Sequence, residues 1–305
     1  MCNSLLSPWA EPKAESKGGG IGNASDSRHW RQGRIPAKIL AMPARRKARP
    51  RRRRPVSGAR REDEQLRLAR AVQEALLPPP LTALPGVEVA ARFQPSQSVG
   101  GDFYDYFPLH ARHLAFYLGD VQGKGLEGAM YALLVSGLMR GLNKTGNEPA
   151  ALVEFLNRRL ALRALPGKFC ALAYAVFDLE QRQLRLANAG LPFPWLLRHG
   201  QLTRVEIPGI PVGMFNPCQY DQGVVRLESG DRLLFYTDGL PDSLEALYPR
   251  AGDGEKQLAR LLGESGTRSA AALADRLVGR LQLERPLRRR KRLEDDAAFL
   301  VVHIL

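Results

Sequence analysis

Four aspartates lie where apolar strands begin or end, and they are the residues of this sequence best suited to chemistry. Two of the predicted strands lead into an aspartate and two lead out of one. Antiparallel neighbours would therefore bring all four carboxylates to one edge of a sheet. Carboxylates that meet at one edge repel each other unless cations lie between them, so the pattern predicts a metal site. The four residues are Asp102 in VGGDFYDYF, Asp120 in LGDVQGKG, Asp238 in FYTDGLPDS and Asp295 in EDDAAFLVV.

The first two aspartates flank a predicted β-hairpin. If its turn is centred on Ala111, in PLHARH, position 102 pairs directly with position 120. Opposed residues of an antiparallel pair have Cβ atoms about 4.5–5.5 Å apart, so Asp102 and Asp120 would reach one divalent ion. A register slip of one residue would turn one of the two acids to the other face.

The segment GDVQGKG, at 119–125, adds glycines beside Asp120. Glycine lets the backbone fold tightly and approach an ion, and the main-chain carbonyl of Val121 is a suitable ligand for a hard cation. A helix is predicted to follow, whose first N–H groups favour a bound anion. Taken alone, the segment is equally consistent with a turn before a packed helix.

An all-oxygen ligand set indicates Mg²⁺ or Mn²⁺. The five histidines show no ligand spacing, and the sequence contains no Ser-His-Asp or Cys-His nucleophile signature. This leaves metal-activated water that attacks a phosphorus or carbonyl centre, and the hydrolysis of a phosphate ester fits best.

The net charge of +14 is concentrated at the N-terminus. Residues 1–61 contain 16 Lys/Arg and 3 Asp/Glu, whereas the remainder contains 29 and 28. We expect residues 1–61 to form a disordered basic tail. The tail either contacts nucleic acid or an anionic membrane through phosphate groups or is simply solvated. Three scattered cysteines, the lack of a long apolar stretch and the lack of a signal peptide predict a cytoplasmic protein without a membrane span.

The remaining chain is predicted to form an amphipathic linker helix at 62–80 and a catalytic domain at 81–305. Leu66, Ala69, Val72 and Leu76 form the apolar stripe of that helix. Strands come in adjacent hairpins and helices in pairs, which favours an α+β layered domain. Strands are predicted at about 86–94, 101–107, 113–121, 169–178, 183–189, 193–199, 202–207, 222–228, 231–237 and 297–304. Helices are predicted at 62–78, 125–143, 149–164, 254–264 and 269–284.

From about residue 66 onward the chain resembles the bacterial PPM-type, or type-2C-like, serine/threonine protein phosphatases, in the branch of the SpoIIE and RsbU phosphatases. The resemblance is carried by several motifs in the order of that family. They are ALLPPPLTALPGVEVAARFQPSQSVGGDFYDYF, GDVQGKG, a strand centred on Phe169, NAGLPFPWLL, GIPVGM, GDRLLFYTDG and EDDAAFLVV.

The resemblance implies an antiparallel β-sandwich flanked by helices, with two Mn²⁺ or Mg²⁺ ions at one edge. Asp120 would bridge both ions and the nucleophilic water. Asp102 and the Val121 carbonyl would complete one site, and Asp238 and Asp295 the other. Three further residues would support the ligands without binding the ions: Asp296, Gly101 and Gly239.

The resemblance also implies a substrate, a phosphorylated STAS-domain anti-sigma factor antagonist in a partner-switching pathway. Further expected partners are an upstream regulatory protein at helix 62–78 and a second copy of the chain in a homodimer; the alternative is that the apolar stripe of the helix docks on the domain. Gln122 stands where animal-type enzymes place a histidine proposed as general acid. A second basic run, RPLRRRKR, either steers an acidic phosphoprotein or is a solvated loop. Its central residues are Arg288, Arg289, Arg290 and Lys291.

Two alternative functions remain open from the residues alone. One is a two-metal hydrolase of a small phosphate ester at the same site. The other is a non-catalytic scaffold that binds nucleic acid through its tail, which would have no need for four converging acids.

Overall fold

The protein forms two antiparallel five-stranded sheets that pack face to face, with helices on both outer sides. This computed structural model describes residues 58–80, 84–110, 112–142, 148–162, 165–264, 266, 269–281 and 293–305. The predicted tail up to residue 57 and the basic run at Arg288, Arg289, Arg290 and Lys291 lie outside these ranges. The disorder predicted for residues 1–57 therefore stays a prediction, whereas residues 58–61, predicted as the end of the tail, belong to a helix.

Along the chain, runs of consecutive strands alternate with runs of helices. The strands are β1 (Val87–Gln94), β2 (Phe103–His110), β3 (His113–Val121), β4 (Cys170–Asp178), β5 (Gln183–Ala189), β6 (Trp195–Arg198), β7 (Gln201–Arg204), β8 (Gly223–Arg226), β9 (Arg232–Tyr236) and β10 (Ala297–Ile304). The helices are α1 (Gly58–Leu76), α2 (Gly125–Leu142), α3 (Pro149–Ala161), α4 (Gly239–Leu247), α5 (Gly254–Gly263) and α6 (Ala270–Arg280).

One sheet has the strand order β1-β10-β9-β6-β7 and the other β2-β3-β4-β5-β8. Apolar side chains from both inner faces fill the space between them, where the rings of Phe116 and Phe235 meet edge to face at 5.0 Å. Helices α2 and α3 bury their apolar faces on the outside of the second sheet, and α4, α5 and α6 on the outside of the first. The predicted α+β antiparallel sandwich is confirmed.

The predicted register of the β2–β3 hairpin is confirmed. Phe103 pairs with Gly119 and Tyr104 with Leu118, so the next two positions along this register are 102 and 120. The register shifts only near the turn, between Pro108 and His110. Strands β9 and β10 are also antiparallel neighbours, with Phe299 opposite Tyr236.

Helix α1 begins at Gly58, and its inward side carries three of the four predicted stripe residues, Leu66, Ala69 and Leu76, but not Val72. Val72 is 52% exposed, whereas Gln73, one residue later, is buried. Leu66 and Leu76 are partly buried on the inward side. A single residue advances the helix by about 100°, so the inward stripe includes Gln73 and leaves Val72 outside. The predicted stripe was wrong at Val72 because apolar residues occur on both sides of this helix.

Helix α4 is absent from the predicted elements. Its sequence, GLPDSLEAL, is only nine residues long and contains Pro241. Proline is tolerated in the first turn, where its missing N–H would have had no partner within the helix. Among the described residues, no helix is long and apolar enough to cross a membrane.

Candidate active site

The four aspartates lie at one end of the sandwich, two on each sheet. Asp102 immediately precedes β2 and Asp120 is the penultimate residue of β3, both on the second sheet. Asp238 follows β9 and occupies the N-cap position of helix α4, and Asp295 lies just before β10, both on the first sheet. The packing of the two sheets brings the pairs together, because Thr237, which precedes Asp238, donates a hydrogen bond to Asp102.

Asp102 is the most deeply buried of the four, with 1% of its surface exposed. Burial raises its pKa well above the usual range, and the nearby charges of Asp120 and Asp296 raise it further. The Thr237 hydroxyl donates a hydrogen bond to Asp102 Oδ2 at 2.8 Å and accepts one from the Ala298 N–H at 3.0 Å. Thr237 therefore fixes the Asp102 carboxylate from the other sheet.

Asp120 lies among the other carboxylates of the site. Burial raises the pKa of Asp120 to about 7, and the charge of Asp238 is the next largest cause. A hydrogen bond between the side chains of Asp120 and Asp102 acts in the opposite direction. In this environment the ionised form of the Asp120 carboxyl group is unfavourable unless a cation binds it.

Asp238 and Asp295 form the second pair. Asp238 is exposed to solvent. Partial burial of its carboxyl group nevertheless raises its pKa, and repulsion from Asp295 raises it further. Asp295 is partly exposed, and its Oδ2 lies 2.7 Å from the Nζ of Lys124. The site thus includes a lysine that the sequence did not single out.

Asp296 uses both of its oxygens to shape the loop before Asp102. Its Oδ1 accepts hydrogen bonds from the Ser96 N–H at 2.6 Å and the Ser96 hydroxyl at 2.9 Å. Its Oδ2 accepts one from the Gly101 N–H at 2.6 Å. With both oxygens engaged by protein, Asp296 is suited to supporting the site, and that role remains a proposal.

Two glycines permit the close packing of backbone at the site. A Cβ on Gly239 would lie 1.7 Å from the Asp296 carbonyl oxygen, so only glycine allows α4 to start there. A Cβ on Gly101 would lie 3.1 Å from the carbonyl oxygen of Val121. The Val121 carbonyl therefore faces the loop that carries Asp102.

Gln73 of helix α1 joins the site through the same loop. Its side-chain amide donates to the Gly100 carbonyl at 2.7 Å and accepts from the Gly100 N–H at 3.2 Å. Sequence reasoning missed Gln73, Thr237, Ser96 and Lys124 as site residues. A signal existed for Gln73, because it is a polar residue at helical spacing from Leu66, Ala69 and Leu76.

The oxygens at this edge fit a hard divalent cation. The candidate donors are carboxylates and a main-chain carbonyl, which Mg²⁺ and Mn²⁺ prefer, and their mutual repulsion is what a cation would relieve. Within the part of the chain that the structure describes, no three His, Cys, Asp or Glu side chains converge as ligands of one ion. Asp102 and Asp295 are instead held by Thr237 and Lys124.

Comparison with known proteins shows the family. The sequence profile described as Stage II sporulation protein E (SpoIIE) matches residues 110–305, well over half of the chain. The chain belongs to the SpoIIE family. The resemblance seen in the sequence motifs is thereby confirmed.

Sequence identity to individual relatives is low. The chain is 23% identical to the phosphoserine phosphatase RsbP of Bacillus subtilis, over 79% of the chain and 58% of RsbP. Among solved structures it is similar to the SiaA-PP2C domain of Pseudomonas aeruginosa, with a TM-score of 0.67, 19% identity, and coverage of 82% of the chain and 100% of that domain.

It is also similar to the catalytic domain of the serine/threonine protein phosphatase PstP in complex with two manganese ions, with a TM-score of 0.53, 19% identity, and coverage of 72% of the chain and 99% of that domain. At these identities the structural matches show the fold, which is that of PP2C phosphatase domains. The chain spans 24–58% of the length of four curated relatives.

Proposed function

We propose that this SpoIIE-family chain is a metal-dependent serine/threonine protein phosphatase. The observation that carries the proposal is that Asp102 and Asp120 of one sheet lie at the same end of the sandwich as Asp238 and Asp295 of the other, where Thr237 joins the two sheets through its hydrogen bond to Asp102. Burial and mutual repulsion raise the pKa of Asp102, Asp120 and Asp238. A protein maintains such repulsion at a cost in stability, which bound cations would offset. The phosphoserine phosphatase named among the relatives and the manganese-bound PP2C domain support this choice.

The ligands divide between two ions as the family resemblance implies. Asp120 would bind both ions, with Asp102 and the Val121 carbonyl on one and with Asp238 and Asp295 on the other. The bound ions would supply Lewis-acid chemistry and activate water for attack on phosphorus. Asp296, Gly101 and Gly239 would hold the surrounding backbone in place, through the contacts described above.

The substrate we propose is a phosphorylated STAS-domain antagonist of an anti-sigma factor. This follows from the SpoIIE and RsbU branch of the resemblance. Its dephosphorylation would let the antagonist bind the anti-sigma kinase and release a sigma factor.

Helix α1 is suited to receive a regulatory partner of this pathway. It contacts the site loop through Gln73, while Leu68 and Val72 remain 63% and 52% exposed on its outer side. A protein that binds the outer side would act on the Asp102 loop through one side chain. Alternatively, a second copy of the chain would bind the same surface and form a homodimer.

The central experiment measures phosphate release from a phosphoserine STAS-domain protein with Mn²⁺, Mg²⁺ or EDTA. We expect Mn²⁺ or Mg²⁺ to be required and Asp120→Asn to abolish the release. Asp221→Asn, an exposed aspartate outside the site, is the matched control and should retain activity.

Two outcomes separate the alternatives. Turnover of free phosphate esters with no turnover of the phosphoprotein would favour a hydrolase of small phosphate esters. An inert wild-type protein with both ions on both substrates would reject the enzymatic function.

A further inference from the structure

Lys124 reaches across the site from one sheet to the other. It lies in the loop between β3 and α2, four residues after Asp120, whereas Asp295 belongs to the segment that leads into β10. Its ammonium Nζ contacts Asp295 Oδ2 at 2.7 Å and donates to the Glu294 carbonyl at 3.1 Å. Neither the ligand assignment nor the family resemblance gives Lys124 a role.

The charges around Lys124 explain why it lies there. The hydrogen bond to Asp295 raises the pKa of the Lys124 ammonium group, and the charges of Asp295, Asp296 and Asp238 also raise this pKa. The ammonium thus occupies one oxygen of a carboxylate that we assign as a metal ligand. It supplies part of the positive charge that the acidic edge requires.

The lysine side chain is free to leave this position. Half of its surface is exposed, and a flexible four-carbon stem carries a compact charge with three donors. A divalent cation bound to Asp295 would repel the ammonium, because like charges at a few ångströms interact strongly in a partly buried site. A phosphoryl group brought to the same edge would attract it.

We propose that Lys124 exchanges partners in the catalytic cycle, leaving Asp295 when the metal binds and then binding a phosphoryl oxygen of the substrate. This inference rests on the proposed phosphatase function and names the residue that would recognise the phosphate. Before loading, Lys124 holds Asp295 in place, and after loading it contributes to substrate affinity. It transfers no proton and forms no bond to phosphorus.

The test compares wild type, Lys124→Gln and Lys124→Arg in two binding measurements. The first is calorimetric titration of the metal-free proteins with Mn²⁺. We expect Lys124→Gln to bind Mn²⁺ about tenfold more tightly, because no charge-assisted hydrogen bond must be broken at Asp295. Lys256→Gln, which removes an exposed lysine of α5, should match the wild type.

The second measurement is competitive inhibition of the Mn²⁺-loaded proteins by inorganic phosphate. We expect phosphate to bind about tenfold more weakly to Lys124→Gln, with KM raised by a similar factor, and Lys124→Arg to restore phosphate binding. Unchanged Mn²⁺ affinity or unchanged phosphate inhibition in Lys124→Gln would overturn the exchange of partners. A wild type that takes up no Mn²⁺ would instead reject the metal site, and with it both proposals.

Discussion

The side-chain amide of Gln73 pairs with both the N–H and the carbonyl of Gly100, at 3.2 and 2.7 Å. Gly100 lies two residues before Asp102, and a Cβ on Gly100 would lie 2.4 Å from Asp296 Oδ2. The loop is therefore clamped between a helix on one side and a carboxylate on the other. Movement of α1 would therefore be transmitted to the loop that carries Asp102 through this contact.

Replacement of Gln73 by Leu should reduce activity and stability together. The backbone N–H and carbonyl of the buried Gly100 both lose their partner, at a cost of about 1–3 kcal/mol in the free energy of unfolding. We also expect kcat to fall about tenfold or more, because Asp102 loses the support of its loop. Urea unfolding and phosphate release measure the two effects. Gln65→Leu on the exposed side of α1 is the matched control, and an equal effect there would contradict the prediction.

Replacement of Thr237 by Val should weaken the site while it preserves the side-chain shape. Asp102 Oδ2 loses a donor and the Ala298 N–H loses its acceptor, both in a fully buried position. We expect a loss of about 1–3 kcal/mol in unfolding free energy and about a tenfold loss in Mn²⁺ affinity. Thr237→Ser retains the hydroxyl and should restore Mn²⁺ affinity. A Ser variant as weak as the Val variant would show that the methyl group, not the hydroxyl, matters.

The pH dependence of stability should reveal the unpaired charge of Asp120 in metal-free protein. A carboxyl group whose pKa is raised by folding stabilises the folded state fully below its unfolded pKa, near 4. That contribution is lost as pH rises through the folded pKa of about 7. Stability with EDTA should therefore fall between about pH 4 and pH 7.

Asp120→Asn should flatten this pH profile. The amide cannot ionise, so we expect the metal-free variant to be more stable than wild type at pH 8 by about 1–3 kcal/mol. Mn²⁺ should raise the unfolding temperature of wild type and have less effect on the variant. Thermal unfolding at pH 5 and pH 8, with EDTA or Mn²⁺, measures both effects. A variant with the same pH slope as wild type would show that Asp120 is not the source of the instability.

The strands that bear the site could be predicted because their sequences are continuous apolar runs. The bounds of β3 and β10 agree with the predicted 113–121 and 297–304. The pairing of positions 102 and 120 was accessible for the same reason, because the hairpin is short and its turn is local. Local sequence thus determined where the two acids of this hairpin lie.

The contacts that hold the acids could not be predicted, because each joins segments distant in sequence. Gln73 meets Gly100 across 27 residues and Thr237 meets Asp102 across 135. Helical spacing could have indicated that Gln73 faces inward, but nothing local identifies Gly100 as its partner or Asp102 as the partner of Thr237. The error at Val72 has a related cause, since only tertiary packing decides which side of α1 is buried.

Two glycine-to-alanine substitutions should change stability in opposite directions. Gly239 begins α4 against the Asp296 carbonyl oxygen, so a methyl group there forces the helix away from the segment that carries Asp295 and Asp296. We expect Gly239→Ala to lose about 3 kcal/mol or more, as severe overpacking does, together with activity. Gly137 lies in the middle of α2, exposed and with nothing within 4 Å of its added Cβ.

Gly137→Ala should therefore gain about 0.5–1 kcal/mol, because alanine restricts the unfolded chain and favours the helix. Its phosphate release should be unchanged. Urea unfolding of the two variants beside wild type gives the sign of each effect directly. Equal stability of Gly239→Ala and wild type would mean that the start of α4 can move without cost, and the packing of α4 against Asp296 would then not define the site.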